Sequence, residues 1–281
     1  MNMTVEKRKI PYNNTEISVS IIGSGDKIIV MLPGFSSPAP SVEFKALASG
    51  LSHKFKAVII EYLNYGESSP SHTERTNDNI SEEIHFALSY LGYDKYSICA
   101  HSLSGIYGLY YANKFPDEFE AFIGLDSTVP QLIDDPKFIG NNLKMCEIRR
   151  KKASSKLFCK IMRNSAKMLL KTAKGYTFSD EDLKHYSDMM IASMPKDAYI
   201  NELNCAQDNL SSLKGVKLPD PIPALFLLSA KTAKANKSWE ALHSSLTSNP
   251  NSRTELLNGS HFIHLDCADK AAEIINSFIE G

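Results

Sequence analysis

Short, continuous apolar runs alternate with helical stretches along this chain, and that alternation dictates a parallel sheet. Residues 27–32, 57–60, 96–101, 119–125 and 224–228 read as strands with little or no polar face, the pattern of strands buried on both sides. Helical periodicity falls at 42–51, 79–91, 103–114, 238–246 and 268–279, with a last short strand at 253–257. A strand, a helix and a second parallel strand close with a right-handed crossover, which covers both faces of one sheet with helices. Residues 15–22 alternate apolar and polar, as a first hairpin would. The expected fold class is α/β, a mostly parallel, doubly wound sheet.

The alternation pauses between 129 and 218, where helical periodicity continues without a convincing strand. The division this predicts is a core formed by 1–128 and 219–281 with an inserted helical lid at 129–218. The run Leu218-Pro219-Asp220-Pro221-Ile222-Pro223 is a stiff return into the sheet and not a flexible tether. At 281 residues the chain suits one large core with an insertion. A net charge of −1 gives no general attraction to nucleic acid. Five cysteines without metal-ligand spacing suit free thiols in a reducing compartment. The polar N-terminal residues 1–8 carry no apolar signal core, and no run approaches transmembrane length. These features predict a cytoplasmic location without stable membrane insertion.

The strand at 96–101 breaks onto Ser102 in the run Cys99-Ala100-His101-Ser102-Leu103-Ser104-Gly105. Small residues two positions either side of a serine are what a strained strand-to-helix turn needs to project its hydroxyl above a sheet. A serine hydroxyl is a weak nucleophile until a base removes its proton. His261, in the loop between the last strand and the last helix, supplies that base, because loops at the C-terminal ends of parallel strands open on one edge. His264, three residues on, is the competing histidine and is expected to be structural. The amide of Leu103 is the first candidate donor to a developing oxyanion. Phe35, in the Pro33-Gly34-Phe35-Ser36 turn, is the second.

Together these residues resemble the α/β-hydrolase superfamily, in its lid-bearing branch of serine esterases, lipases and peptidases. The turn Glu61-Tyr62-Leu63-Asn64-Tyr65-Gly66-Glu67-Ser68 is similar to that family's D-x-x-G-x-G-x-S segment, with Glu for Asp and Asn for the first Gly. Asparagine tolerates left-handed backbone best among non-glycine residues, so the turn geometry survives the exchange. Pro33 stands where the family usually has a histidine. The resemblance implies a Ser–His–acid triad. Most members carry the acid after the seventh strand, where this chain has Thr232 and no carboxylate before Glu240. A minority carries it after the sixth strand, and Asp126 in Gly124-Leu125-Asp126-Ser127-Thr128 occupies that point. Asp126 is the expected acid. Glu240, or no acid at all, is the alternative.

Met145, Met162, Met168, Met189, Met190 and Met194 fall in the insertion among several aromatics, either as an apolar acyl-binding roof or as the lid's own core. From Lys144 to Lys174 eleven basic residues face one acid, Glu147. Lys156, Lys160, Arg163, Lys167, Lys171 and Lys174 advance by three or four, which sets them on one helical face opposite Leu157, Ile161, Met168 and Leu169. Such a stripe is ordinarily a solvated face; the other readings are an anionic substrate group, an acidic partner or a lipid surface.

The function these features predict is a serine hydrolase of small esters, thioesters or amides, with a small-molecule acyl substrate and no metal or organic cofactor. Esters are expected over peptides, since nothing marks a site for a free amino terminus. The alternatives are a ligand-binding protein of slight turnover on the same scaffold and a carbon–carbon lyase using the same serine and histidine.

Overall fold

A hairpin opens the sheet, with β1 (Val5–Tyr12) and β2 (Thr15–Ile22) paired antiparallel across Asn13 and Asn14. Both asparagines have positive φ, 45° and 62°, the primed-turn geometry whose twist matches the strands it joins. The computed structural model describes residues 5–280, so half of the polar N-terminal stretch read above lies outside the described residues. β3 (Lys27–Leu32) is followed by α1 (Pro40–Glu43), α2 (Lys45–Leu51), β4 (Phe55–Glu61), α3 (Asn77–Tyr90), β5 (Tyr96–His101), α4 (Ser104–Lys114) and β6 (Phe119–Leu125). Next come four helices, α5 (Pro136–Lys152), α6 (Lys156–Leu170), α7 (Asp180–Ser193) and α8 (Ala198–Ser212). The chain then returns through β7 (Ala224–Ser229), α9 (Ala230–Ala235), α10 (Trp239–Ser244), β8 (Arg253–Leu257), α11 (Ile263–Asp266) and α12 (Ala268–Glu280).

The eight strands form one sheet in the order β1-β2-β4-β3-β5-β6-β7-β8, antiparallel at β1/β2 and β2/β4 and parallel elsewhere. Alternate residues of each central strand go to opposite faces. Ile28, Val30, Val58 and Ile60 pack with Ile84 of α3 and Ile106 of α4, while Ile29, Met31, Ala57 and Ile59 pack with Leu47 of α2 and Ile275 of α12. Both faces are thus dry, which explains why these strands read as unbroken apolar runs.

The expected helix at 42–51 divides at Phe44. Phe44, fully buried, is the C-cap of α1 and the N-cap of α2. The expected helix at 238–246 is shorter and is preceded by α9, six residues capped by Ser229, whose hydroxyl accepts from the amides of Lys231 and Thr232. A helix of that length shows no periodicity to read. The interruption between β6 and β7 holds helices and connecting turns with no strand among the described residues, and polar caps start three of its four long helices: Asp135 accepts from the Lys137 amide, Ser155 from Phe158 and Ser179 from Asp182.

The face expected for α6 needs correction. Its buried residues are Ala166 and Leu170, packed on Leu183, Tyr186 and Met190 of α7. Leu157, Ile161 and Met168 are 70%, 52% and 69% exposed. The line Met162, Ala166, Leu170 seats against α7, and this turns Leu157, Ile161 and Met168 outward among the lysines. Among the described residues no helix is long and apolar enough to cross a membrane.

Arg75, ahead of α3, forms a two-pronged ion pair with Glu83, and both side chains are almost fully buried. Asn209 of α8 donates to the Arg75 carbonyl, which ties the insertion to the core at 2.9 Å. Glu83→Ala should lower the unfolding free energy in urea by about 3–5 kcal/mol, because it strands a buried cation. Arg75→Met combined with Glu83→Leu should lose less than the single change.

Candidate active site

Ser102 follows β5 directly and has a φ of 53°, a strained conformation for a residue with a side chain. Its carbonyl accepts from the amides of Gly105 and Thr128, and its amide donates to Leu125, so the strain is held from both flanks. The small residues at Ala100 and Ser104 are both fully buried, as the turn requires. Ser102 Oγ lies 2.9 Å from His261 Nε2, and His261 Nδ1 lies 2.7 Å from Asp126 Oδ2. The structure therefore brings the three sequence-predicted residues together in one relay.

The carboxylate of Asp126 is 1% exposed and has four donors. Oδ1 accepts from the Ser229 amide at 3.0 Å and from Trp239 Nε1 at 2.8 Å, and Oδ2 accepts from Thr232 Oγ1 and His261 Nδ1, both at 2.7 Å. Burial opposes ionisation here, but the hydrogen bond and charge of His261, with the Thr232 and Ser229 donors, outweigh it and hold the pKa below the ordinary carboxylate value. An ionised Asp126 can only accept, which assigns the proton to His261 Nδ1 and leaves Nε2 to accept from the serine hydroxyl. Thr232, at the position where an acid was sought after the seventh strand, is one of the donors. Glu240 is exposed on α10, and its neighbour Trp239 is the residue that reaches Asp126.

The loop carrying His261 is fixed on three sides. Asp266 accepts from the Ser260 amide at 2.7 Å, Ser229 Oγ donates to the Gly259 carbonyl at 2.9 Å, and the ring of His101 donates from Nε2 to the His261 carbonyl at 3.1 Å. His101 is buried beside His264 and His261, and burial first and those neighbours second push its pKa well below the ordinary histidine value, so it is neutral. His264 is fully buried, with Nε2 3.0 Å from Glu43 Oε1, in keeping with the expected structural role. Ser37 and Tyr186 donate to the other oxygen of Glu43, at 2.9 and 2.7 Å. Glu43, His101 and His264 are the described residues whose ligand atoms could gather round a metal ion, lying within 4.8 Å of one another. As they stand, the carboxylate is occupied by its three partners.

The Pro33–Ser36 turn approaches so closely that a Cβ on Gly34 would lie 2.5 Å from His101 Nδ1 and 3.1 Å from Ser102 Cβ. Ser104 anchors it: its hydroxyl donates to the Pro33 carbonyl and lies 2.7 Å from Tyr62 Oη. Tyr65 Oη accepts from the Ser36 amide at 3.2 Å, and Ser36 itself has a φ of 56°. The side chain that departs from glycine in the elbow thus helps hold the loop that lacks the usual histidine. The amides of Phe35 and Leu103 have no acceptor among the described residues. In the next turn, Asn64 has the left-handed φ of 76° expected of it, and Glu61 accepts from the Glu67 amide at 2.6 Å.

A cavity of about 410 Å³ opens on Ser102 and His261, with Phe35 and Ser36 on one wall and Met145, Arg149, Met162, Tyr186 and Met190 from the insertion on the other. Of the methionines considered for an apolar roof, Met145, Met162 and Met190 line it, whereas Met168 is exposed and Met194 buried. A larger depression of about 600 Å³ lies at Lys27, Glu120 and Arg253, at the opposite edge of the sheet, where the strands begin.

The sequence pattern of the alpha/beta hydrolase fold family matches residues 27–266, most of the chain. The chain belongs to the alpha/beta hydrolase fold family. Within it, the chain superposes on ALR0039 of Nostoc sp PCC 7120, described as a candidate alpha/beta hydrolase, with a TM-score of 0.80 at 16% identity, over 99% of this chain and 98% of that one. A variant of the Vigna radiata epoxide hydrolase gives a TM-score of 0.77 at 16% identity, over 98% of both chains. A protein of Bacillus subtilis (strain 168), Uncharacterized protein YbdG, is 36% identical over 123 residues, which is 43% of this α/β-hydrolase and 38% of the Bacillus protein. The chain therefore matches well under half the length of that curated relative.

Sequence reasoning missed Trp239, Tyr62, Tyr65 and Glu43. Trp239 alone carried a signal, as the single tryptophan of the chain, in the segment where an acid was missing. Trp239→Phe should lower stability at pH 7 by about 1.5–3 kcal/mol, the worth of a hydrogen bond to a charged group. The depressed pKa of Asp126 gives stability that is complete above the unfolded value of about 3.9 and is lost as pH falls through the folded value. Losing a donor raises that folded value, so the stability gap between parent and variant, measured in urea, should narrow as pH is lowered toward 3.

Proposed function

We propose that this α/β-hydrolase cleaves small carboxylic esters, and by the same chemistry thioesters or amides, through an acyl-enzyme on Ser102. The observation that carries this reading is the unbroken relay from Ser102 Oγ through His261 to the buried carboxylate of Asp126, at 2.9 and 2.7 Å. His261 Nε2 takes the serine proton as Oγ bonds to the substrate carbonyl carbon, and Asp126 steadies the imidazolium that results. The carbonyl oxygen becomes an oxyanion facing the unengaged amides of Phe35 and Leu103. The intermediate collapses, His261 returns the proton to the leaving alcohol, and the acyl group stays on Ser102. Water, deprotonated by His261, then attacks the acyl carbon and releases the acid with the serine restored.

The lack of a carboxylate after β7 favoured a non-catalytic binding protein, and Asp126 at hydrogen-bonding distance from His261 removes that reason. Epoxide opening, the activity named for the Vigna radiata neighbour, is not carried over. Attack by a serine oxygen on an epoxide carbon leaves an ether, which has no carbonyl for water to attack, so Ser102 would not be regenerated.

With a short-chain 4-nitrophenyl ester, Ser102→Ala should abolish turnover. Asp126→Asn should lower kcat by about a thousandfold or more, because the asparagine amide favours the wrong imidazole tautomer. Glu240→Gln should leave it within about twofold, as befits an exposed surface residue. Turnover by Ser102→Ala equal to the parent, or a larger loss at Glu240 than at Asp126, would refute the reading.

A further inference from the structure

The cavity above Ser102 is mostly apolar on its insertion side, yet one guanidinium enters it. Arg149, in the last turn of α5, lines the cavity together with Met145, Met162 and Met190, and its Nη1 lies 3.5 Å from Ser36 Oγ. Ser36 follows Phe35, one of the two residues whose amides face the proposed oxyanion. Arg149 therefore shares the cavity with Ser102, on the side of the turn that carries Phe35. Its neighbour Arg150 is paired with Asp197 at 2.6 Å. Among the described residues no carboxylate lies within ion-pair distance of Arg149. The acid of the same cavity wall, Glu43, has its oxygens taken by Ser37, Tyr186 and His264. A half-buried guanidinium with a hydroxyl beside it suits a planar anion, since its fork of donors matches a carboxylate in two-pronged geometry.

The surroundings point the same way. Between Lys144 and Lys174 eleven basic residues stand against one acid; Arg150, Lys151 and Arg163 are paired with Asp197, Glu147 and Asp188, and an excess of positive charge on α5 and α6 raises the local concentration of anions and their rate of arrival. A second hollow, lined by Lys144, Ile148 and Phe158, shares Met145, Arg149 and Met162 with the cavity, so Arg149 stands where the basic surface of α5 and α6 meets the site.

We infer that Arg149 forms a carboxylate subsite, and that the substrate is an ester whose acyl portion carries a free carboxylate a few bonds from the scissile carbonyl. This rests on the proposed reaction for its chemistry, but the subsite itself is a statement about binding. The charge pair orients the acyl chain against the methionines, with the ester carbonyl turned to Ser102 and the anion to Arg149.

The test uses monomethyl glutarate, which has one free carboxylate, and dimethyl glutarate, its uncharged counterpart. Binding of each to the full-length Ser102→Ala protein is measured by calorimetry, so no turnover is needed. The monoester should bind about tenfold or more tightly than the diester. Arg149→Gln in the same background should level the two by weakening the monoester alone, and Arg149→Lys should keep part of the preference, with thermal unfolding unchanged in both. Equal or undetectable binding of the two esters by Ser102→Ala, or an equal loss of both on Arg149→Gln, overturns the subsite. Hydrolysis is followed separately with wild-type protein, comparing 4-nitrophenyl butyrate and 4-nitrophenyl hydrogen glutarate. Failure to hydrolyse either ester sinks the hydrolase reading and leaves the binding comparison to decide on Arg149.

Discussion

Burying an ionised carboxylate costs several kcal/mol unless donors replace the water it loses, and the end of the sheet is organised around doing so for Asp126. Its four donors come from the end of β7, from α9, from α10 and from the loop after β8. The parallel pairing of β6 with β7 and of β7 with β8 brings those segments to one edge. A slip of β7 by one residue would move Ser229 away from Asp126 and exchange the residues that pack on the two faces. The same contacts that neutralise the burial fix the tautomer of His261. Stability and chemistry therefore share one set of hydrogen bonds.

Two further constraints support that edge. Ser102 and Asp126 both occupy left-handed backbone, at φ 53° and 42°, and each follows a strand whose last residue is buried on both sides. Rigid strands make such strain tolerable because neighbouring hydrogen bonds over-determine the turn. Beneath them, His101 links the elbow to the His261 loop, and Glu43 links His264 to Tyr186 of α7. The inserted helices are thus attached to the site through buried polar groups, beyond the apolar contact of α6 and α7.

The sheet was readable because strands buried on both faces leave unmistakable apolar runs, and 119–125 and 253–257 coincide with β6 and β8. Ser102, His261 and Asp126 were readable because each stands at a strand end with a reason to be there. What escaped was whatever depends on distant contacts. Trp239 looks like an ordinary helix residue until its indole is seen 2.8 Å from Asp126. Ser104 looked like a mere departure from glycine, whereas its hydroxyl ties down the Pro33 carbonyl. The outward apolar face of α6 was misread because period alone locates a stripe without saying which side finds a partner. In this helix Ala166 and Leu170 meet α7, and Leu157 and Met168 do not.

The central claim is that Ser102 is made nucleophilic by His261 and the buried Asp126. A fluorophosphonate reacts far faster with a serine so activated than with an ordinary hydroxyl, and it reports activation without requiring the natural substrate. Intact-mass measurement followed by peptide mapping should show one phosphonyl adduct, on Ser102, forming rapidly in the parent and about a thousandfold more slowly in Asp126→Asn. An unmodified parent protein, or an adduct mapped to another residue, would contradict the account.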